Sequence, residues 1–236
     1  EYGLTPDGGE LVAHATEESL YAALGLAWIP PELREDRGEI EAAAAGGPGL
    51  PRLIQIDDLR GDLQMHSTWS DGEADVMGMA QAALARGYEY ILITDHSQSL
   101  AIANGLTPER LIAQRKEIDQ VNKTLGGRLR VLQGVECEVL SDGRLDLPDD
   151  ALAGCDLVQA SVHTGLTQPR ERITARALAA LENPHVDILG HPSGRQINQR
   201  EPADYDWEAL FAAAARQRVA LEINANPERL DLNDTH

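Results

Sequence analysis

The stretch Asp62-Leu63-Gln64-Met65-His66 is a short apolar run that stops on a histidine. Four later segments repeat the pattern and end on or near a histidine or a glutamate: residues 91–96, 131–136, 157–163 and 186–192. Apolar runs of this length are typical of buried parallel strands, whose C-terminal ends meet on one face of a barrel. The sequence therefore predicts an α/β fold in which five side chains lie together at that face: His66, His96, Glu136, His163 and His191.

Helical patterns separate these apolar runs. They fall at about residues 73–86, 107–124, 169–182 and 206–217, and a sixth apolar run follows at 219–224. Strands that alternate with helices favour a parallel sheet with crossover helices. Six strands are few for a closed barrel, so we expect a seventh strand–helix unit beyond His236.

The first part of the chain lacks this alternation. A helix is predicted from Thr16 to Leu26, and a second, shorter one over residues 39–45. The following glycine- and proline-rich stretch breaks regular structure. We therefore predict an N-terminal segment over residues 1–45, a linker over 46–58, and a second domain over 59–236.

The composition restricts the partners and the compartment. The chain has 20 Lys and Arg against 39 Asp and Glu, a net charge of −19. Such a surface repels phosphate backbones, so a nucleic-acid substrate would need metals, local arginines or a partner domain. Two cysteines without CxxC spacing suit a reducing compartment. The absence of a long apolar stretch or a signal pattern predicts a cytoplasmic protein without membrane contact.

The side chains at the strand ends suit a metal cluster. Imidazole and carboxylate together favour manganese, zinc or iron over calcium, which prefers oxygen ligands alone. One histidine at a strand end is more often structural, but four of the seven histidines end predicted strands. The loop Ser67–Gly72 can return Asp71 to the same place. His14, His185 and His236 lack this context and stay unassigned.

The motifs around these residues resemble a known family. Asp62–Gly72 resembles the first motif of the PHP (polymerase and histidinol phosphatase) family. Four further segments resemble its next motifs in the same order: Thr94–His96, Gly134–Glu136, Ser161–His163 and Gly190–Pro192. Over residues 58–236, the resemblance implies a distorted seven-stranded (β/α) barrel with a trinuclear metal site.

The resemblance also implies the metal ligands. His66 would serve the first metal, and Glu136 would bridge the first and second. His163 and His191 would hold the second metal, and Asp71 and His96 the third. Up to three divalent ions are implied, with manganese favoured and zinc the alternative. We assign catalysis to three of these ligands: His96, Glu136 and His163.

Gln64 departs from the family pattern, which usually has a histidine at this position. An amide oxygen can ligate a metal but binds softer ions less well than imidazole. We include Gln64 among the metal ligands; the alternative is a polar strand-end residue that bonds to the next loop. We expect the family's last aspartate and histidine ligands to lie beyond His236. Asp234-Thr235-His236 has similar letters but follows no apolar strand, so we do not assign it to that motif.

The N-terminal segment resembles the end of the polymerase region of bacterial family X DNA polymerases. The resemblance is carried by Glu1–Leu4, the predicted helix and Trp28–Glu35, and in the second domain by His191–Arg195 and Glu222–Pro227. It implies an upstream polymerase domain in the same protein, with DNA 3′ ends and gapped DNA as partners. The setting would be base excision repair near the bacterial nucleoid.

These features predict a metal-dependent 3′–5′ exonuclease, since neighbouring metal ions can activate water and bind a phosphoryl oxygen. Arg195 could clamp a substrate phosphate; a surface salt bridge is the alternative. Asp95 could orient a metal ligand or cap a loop. We expect Arg170, Arg172 and Arg176 on a solvated helix face. Alternative functions are a small-molecule phosphatase of the histidinol phosphatase type, and a degenerate PHP scaffold that supports the polymerase.

Overall fold

The computed structural model describes residues 3–4, 12–233 and 235–236. The chain divides into two compact units, Glu1–Asp58 and Leu59–His236. The predicted linker over residues 46–58 lies at the end of the first unit. The assignment of these parts to a polymerase segment, a linker and a PHP domain stays a prediction.

The first unit contains one short sheet and several short helices. Its elements are the antiparallel strands β1 (Gly3–Leu4) and β2 (Val12–Ala13), the helices α1 (Glu17–Ala23) and α2 (Glu39–Ala43), and the 3₁₀ turns Pro31–Leu33 and Ile56–Asp58. Helix α1 begins at a capping box, in which Thr16 accepts from the Ser19 amide and Ser19 bonds back to Thr16. Both predicted helices are present and shorter than expected. Helix α1 ends at Ala23 instead of Leu26, and α2 ends at Ala43 instead of residue 45.

The second unit is built on six parallel strands. They are β3 (Gly61–Met65), β4 (Tyr90–Ile93), β5 (Arg130–Glu138), β6 (Leu157–Ser161), β7 (Ile188–Leu189) and β8 (Ala220–Leu221). Each strand pairs in parallel with the next one in the chain. All six predicted strands are therefore present in the predicted order.

Helices connect the strands. They are α3 (Val76–Ala85), α4 (Pro108–Leu125), α5 (Asp149–Leu152), α6 (Arg170–Leu181) and α7 (Trp207–Gln217). Side-chain caps place three of the helix starts, because Asp75, Thr107 and Asp206 each accept from a backbone amide in the first turn. The four predicted helices are confirmed; α5, a single turn, has no clear periodic signal.

The sheet is an open half-barrel. Strands β3 and β8 form its two edges and do not pair with each other within the described part of the chain. A cavity of about 310 Å³ separates them, lined by residues 62–64 on one side and 220–223 on the other. Leu63 and Ile223 are 37% and 75% exposed at these edges. Within the described residues this sheet has six strands, so a seven-stranded barrel is not confirmed.

Two apolar clusters support the sheet. One packs α3 and α4 against β4, whose residues Ile91, Leu92 and Ile93 are fully buried. The other packs α6 and α7 against β5 and β6. Burial on both faces explains why these strands read as apolar runs. Over the residues that the structure describes, no helix is both long and apolar enough to span a bilayer.

Candidate metal centre

The C-terminal ends of the strands bring the five predicted side chains together. His66 follows β3, His96 follows β4, Glu136 lies in β5, His163 follows β6 and His191 follows β7. The ring centroids of successive histidines are 4.3, 5.3 and 5.1 Å apart. The parallel topology thus gathers residues that are distant in sequence into one cluster.

Glu136 lies at the centre of the four imidazoles. Its Oε2 atom is 3.1 Å from His66 Nε2 and 3.2 Å from His96 Nδ1. Its Oε1 atom is 3.1 Å from His163 Nε2 and 3.4 Å from His191 Nε2. Each carboxylate oxygen therefore faces one pair of histidines, and the side chain is only 1% exposed.

Unpaired atoms at this centre fit bound cations. Among the described residues, Glu136 Oε1 and His96 Nδ1 are buried without a hydrogen-bond partner. The Nε2 atoms of His163 and His191 are 3.2 Å apart and face the same oxygen. A buried carboxylate oxygen that faces ring nitrogens without a hydrogen bond is a suitable place for a cation. Imidazole and carboxylate in this arrangement suit a divalent transition metal.

A second group of donors lies beside His66. Asp71 Oδ1 is 2.8 Å from His66 Nδ1, and its Oδ2 is 3.6 Å from His96 Nε2. These three residues, and separately His96, Glu136 and His163, have ligand atoms close enough to share an ion. The structure therefore brings Asp71 to the cluster, as the loop pattern predicts.

Asp95 fixes the loop that carries Asp71. Its buried carboxylate accepts from the Ser67 amide at 2.8 Å, the Ser67 hydroxyl at 2.6 Å and the Ser70 hydroxyl at 2.5 Å. It also accepts from Gln114 Nε2 at 2.6 Å. At Gly72 an added Cβ would lie 2.3 Å from a backbone oxygen, so only glycine fits. Asp95 acts on the loop rather than on a neighbouring imidazole.

Gln64 lies inside the cluster. Its amide nitrogen donates to Glu136 Oε2 at 3.1 Å and is 3.1 Å from His66 Nε2. The alternative prediction, a bond from Gln64 to the next loop, is wrong, because the side chain contacts His66 and Glu136. Its role as a metal ligand stays a prediction.

Arg195 contacts main-chain carbonyls. Its Nε donates to the Arg229 carbonyl at 2.6 Å, and its Nη2 donates to the Leu230 carbonyl. Neither bond is the surface salt bridge considered from the sequence. These contacts hold the loop after His191 against residues 226–231. Phosphate binding by Arg195 stays a prediction.

Three further charged residues adjoin the centre. Glu138 Oε2 is 2.6 Å from His163 Nδ1, and Glu222 Oε2 is 3.3 Å from His191 Nδ1. The prediction that Arg176 lies on a solvated helix face is wrong. Arg176 is 3% exposed and donates to main-chain carbonyls after β5 and β6. Glu138 could have been found from the sequence. Side chains two residues apart in a strand point to the same face, so Glu138 lies on the face of Glu136.

The charges of the centre shift its pKa values. Burial opposes ionisation of Glu136, but the neighbouring imidazoles of His163, His66 and His191 outweigh it and hold its pKa well below the usual value. Burial lowers the pKa of His163 and of His66, yet neighbouring carboxylates outweigh it and raise each to about 9. Burial and nearby histidines lower the pKa of His96. A metal that binds to the metal-free protein must therefore displace protons from His66 and His163.

Two family descriptions match the chain. The description "DNA polymerase beta thumb" matches residues 1–35. The description "PHP domain" matches residues 62–226, which include every residue of the cluster.

Named relatives fall into two groups. The chain is 46% identical over 237 residues to "DNA polymerase/3′-5′ exonuclease PolX" of Bacillus subtilis (strain 168), covering all of this chain and 41% of that protein. It is 34% identical over 149 residues to a protein of Caldanaerobacter subterraneus named as a probable phosphatase, covering 61% and 54% of the two chains. The chain thus spans about half or less of the length of these relatives.

Solved structures share the fold. A protein of Listeria monocytogenes, assigned provisionally as a histidinol phosphatase, aligns with a TM-score of 0.57 at 15% identity over 72% of this chain and 85% of that one. Histidinol phosphate phosphatase of Lactococcus lactis, crystallised with zinc, L-histidinol and phosphate, aligns with a TM-score of 0.51 at 18% identity. The second alignment covers 70% of this chain and 73% of the other.

Proposed function

This chain belongs to the PHP domain family, and we propose that its metal centre hydrolyses phosphodiester bonds at DNA 3′ ends. The observation that carries this proposal is the arrangement of four imidazoles around the buried Glu136 carboxylate. The site fits metal-assisted phosphoester hydrolysis, because each carboxylate oxygen faces a separate pair of nitrogen ligands.

The ligands divide between three positions. His163, His191 and Glu136 Oε1 would hold one ion, and His66 with Glu136 Oε2 and Gln64 a second. Asp71 and His96 would hold a third, with manganese favoured and zinc the alternative. When bound, the ions supply positive charge that lowers the pKa of water and neutralises a phosphodiester.

The residues of the chain prepare this centre for substrate. Glu136 is shielded, whereas the side chains of His66 and His163 are each 19% exposed and that of Asp71 is 47% exposed. The substrate phosphate therefore approaches from the side of His66, Asp71 and His163. We assign His96, Glu136 and His163 as the ligands on which catalysis depends most, and Arg195 as a phosphate contact.

DNA as the substrate rests on the N-terminal segment. The thumb-like match over residues 1–35 and the likeness to the Bacillus protein support a polymerase region in the same protein. The partners would be DNA 3′ ends and gapped DNA during repair synthesis, in the nucleoid region of a bacterial cytoplasm. Because the net charge of this chain is −19, the upstream region and the metals would supply most of the attraction for DNA.

Specific observations favour two alternative functions. The phosphatase relatives and the shared fold favour hydrolysis of a small phosphate ester. The amide of Gln64 within the ligand cluster favours a scaffold with an incomplete centre.

The test is incubation of the full-length protein with a 3′-recessed duplex and manganese. We expect stepwise shortening from the 3′ end, lost in a His96→Ala/Glu136→Ala variant and kept in a Glu182→Ala control on the surface. Phosphate release from histidinol phosphate without DNA shortening would favour the phosphatase. Failure on both substrates would favour the scaffold.

A further inference from the structure

Two carboxylates contact His163 and His191 on the side away from Glu136. Glu138 Oε2 is 2.6 Å from His163 Nδ1, and Glu222 Oε2 is 3.3 Å from His191 Nδ1. The opposite ring nitrogens, both Nε2, lie 3.1 and 3.4 Å from Glu136 Oε1. Each imidazole is thus placed between an outer carboxylate and the central one.

The chemistry of imidazole gives these contacts a consequence. An ionised carboxylate only accepts hydrogen bonds, so the ring nitrogen facing it carries a proton. When Nδ1 holds that proton, a neutral ring has its lone pair on Nε2. Once a metal displaces the proton from Nε2, Glu138 and Glu222 keep the remaining proton on Nδ1 and so direct the lone pairs of both histidines to one point beside Glu136 Oε1.

We propose that Glu138 and Glu222 are positioning residues that fix the ring orientation and tautomer of His163 and His191 for metal binding. This proposal rests on the metal centre of the proposed function. It goes further by assigning roles to two residues outside the predicted ligand set.

Glu138 uses both of its oxygens for this purpose. While Oε2 faces the imidazole, Oε1 accepts from the His163 amide at 3.3 Å and the Thr164 hydroxyl at 3.4 Å. Arg176 Nη2 is 3.6 Å from the same Oε1 and compensates the buried charge. An amide in place of the carboxylate has one acceptor oxygen, so it could serve the ring or the backbone, but not both.

Arg176 makes this support rigid. Its guanidinium donates to the Leu140 carbonyl at 2.9 Å, to the Thr164 carbonyl at 2.6 Å and to the Val139 carbonyl. These bonds join the segment that follows β5 to the segment that follows β6. Glu138 is the last residue of β5 and His163 lies just after β6, so the bonds of Arg176, which come from α6, fix the separation of these two residues.

Glu222 holds a residue with an unusual backbone. His191 has a φ of 25°, a region that non-glycine residues rarely adopt. Glu222 Oε2 accepts from the His191 amide as well as facing its ring. Its ring contact is longer than that of Glu138, so we expect Glu222 to contribute less to metal binding.

The test is zinc affinity by chelator competition in the protein and its Glu138→Gln and Glu222→Gln variants, with Glu171→Gln as an exposed control. Loss of an outer partner of a metal-bound histidine typically costs about 10–100-fold in affinity. We expect Glu138→Gln in the upper part of this range, Glu222→Gln in the lower part, and no change in the control. Circular dichroism checks that each variant folds.

Nitrogen-15 NMR of the zinc-loaded protein supplies a second readout that a merely structural role would not move. We expect a protected Nδ1–H signal from His163 that Glu138→Gln loses. If Glu138→Gln does not fold, Glu138→Asp keeps the charge but shortens its reach, and should weaken zinc binding in the same direction.

Unchanged zinc affinity and an unchanged imidazole spectrum in the folded variants would overturn the proposal, as would a parent protein that binds neither zinc nor manganese. Weaker zinc binding in a protein that shortens no DNA would support the positioning roles while counting against the proposed exonuclease.

Discussion

The two halves of the metal centre are built differently around one carboxylate. In the strand half, Oε1 of Glu136 faces His163 and His191, and a further carboxylate contacts the outer nitrogen of each ring. In the loop half, Oε2 of Glu136 faces His66 and His96. The remaining members of the loop half are Asp71, from the turn after β3, and Gln64.

The carboxylates that hold the histidines differ in exposure. The side chains of Glu138 and Glu222 are 6% and 14% exposed, against 47% for Asp71. Charges shielded from water interact more strongly than exposed ones. We therefore expect the strand half to bind its metal more tightly, and the loop half to be more adjustable and closer to the substrate.

Replacing the carboxylate shared by both halves should have the largest effect. Glu136→Gln removes the negative charge that faces all four imidazoles. We expect metal affinity to fall by more than about 100-fold, beyond the range for outer partners of ligands. Metal content after dialysis and DNA shortening with manganese check this result. A variant that retains its metals would mean that the halves do not depend on Glu136.

Removing the carboxylate of Asp95, which holds the loop that carries Asp71, should destabilise the loop half. Asp95→Ala leaves several buried donors of Ser67, Ser70 and Gln114 unpaired, each costing about 1–3 kcal/mol. We expect the free energy of unfolding to fall by about 3 kcal/mol in urea titrations. The matched variant Asp71→Ala should weaken metal binding with little change in stability. Equal stability losses in both would show that the loop is not held by Asp95.

Acidification should weaken metal binding in both halves. Metals must displace protons from His66 and His163, whose pKa is raised to about 9 in the metal-free protein. Each displaced proton lowers the apparent affinity about tenfold per pH unit below that pKa. Zinc titrations between pH 7 and 9 measure the slope. A flat profile would contradict this account of the centre.

The same protons should make the metal-free protein more stable at low pH, although they weaken metal binding there. A histidine whose pKa is higher in the folded state than its ordinary 6.5 contributes stability that is complete below 6.5. This contribution disappears as the pH rises through about 9. With a chelator present, we expect the melting temperature to be lower at pH 9.5 than at pH 6. A melting temperature that rises over this interval would argue against protonated His66 and His163.

Placing a histidine at position 64 should give the smallest change in metal affinity. Gln64→His replaces an amide by a ligand that softer ions prefer, so zinc affinity should increase by about tenfold, and manganese affinity by less. Titrations with the two metals distinguish this from a general effect. Gln64→Glu serves as the control, because an added carboxylate should favour manganese. If Gln64→His leaves zinc binding unchanged, Gln64 lies outside the ligand set.

Local sequence was enough to predict most of the fold. The six strands and four of the helices of the second unit follow from apolar runs and helical patterns. These signals are local, since a strand buried on both faces needs apolar residues throughout and a helix start needs an acceptor. The meeting of four histidines and Glu136 also followed, because parallel strands end on one face.

The supporting contacts depended on tertiary structure. Arg176 has the sequence context of a solvated helix residue, yet packing of α6 against β5 and β6 buries it over main-chain carbonyls. Arg195 bonds to the carbonyls of Arg229 and Leu230, and only the path of a distant loop determines that contact.

Sequence by itself therefore determined which residues form the cluster and in what order their strands assemble. The tertiary structure decided which charges contact the outer nitrogens of His163 and His191, those of Glu138 and Glu222. The physical reason is that metal-ligand chemistry limits residue type at each strand end. The partner of an imidazole's outer nitrogen can come from any segment that packing brings within about 3 Å.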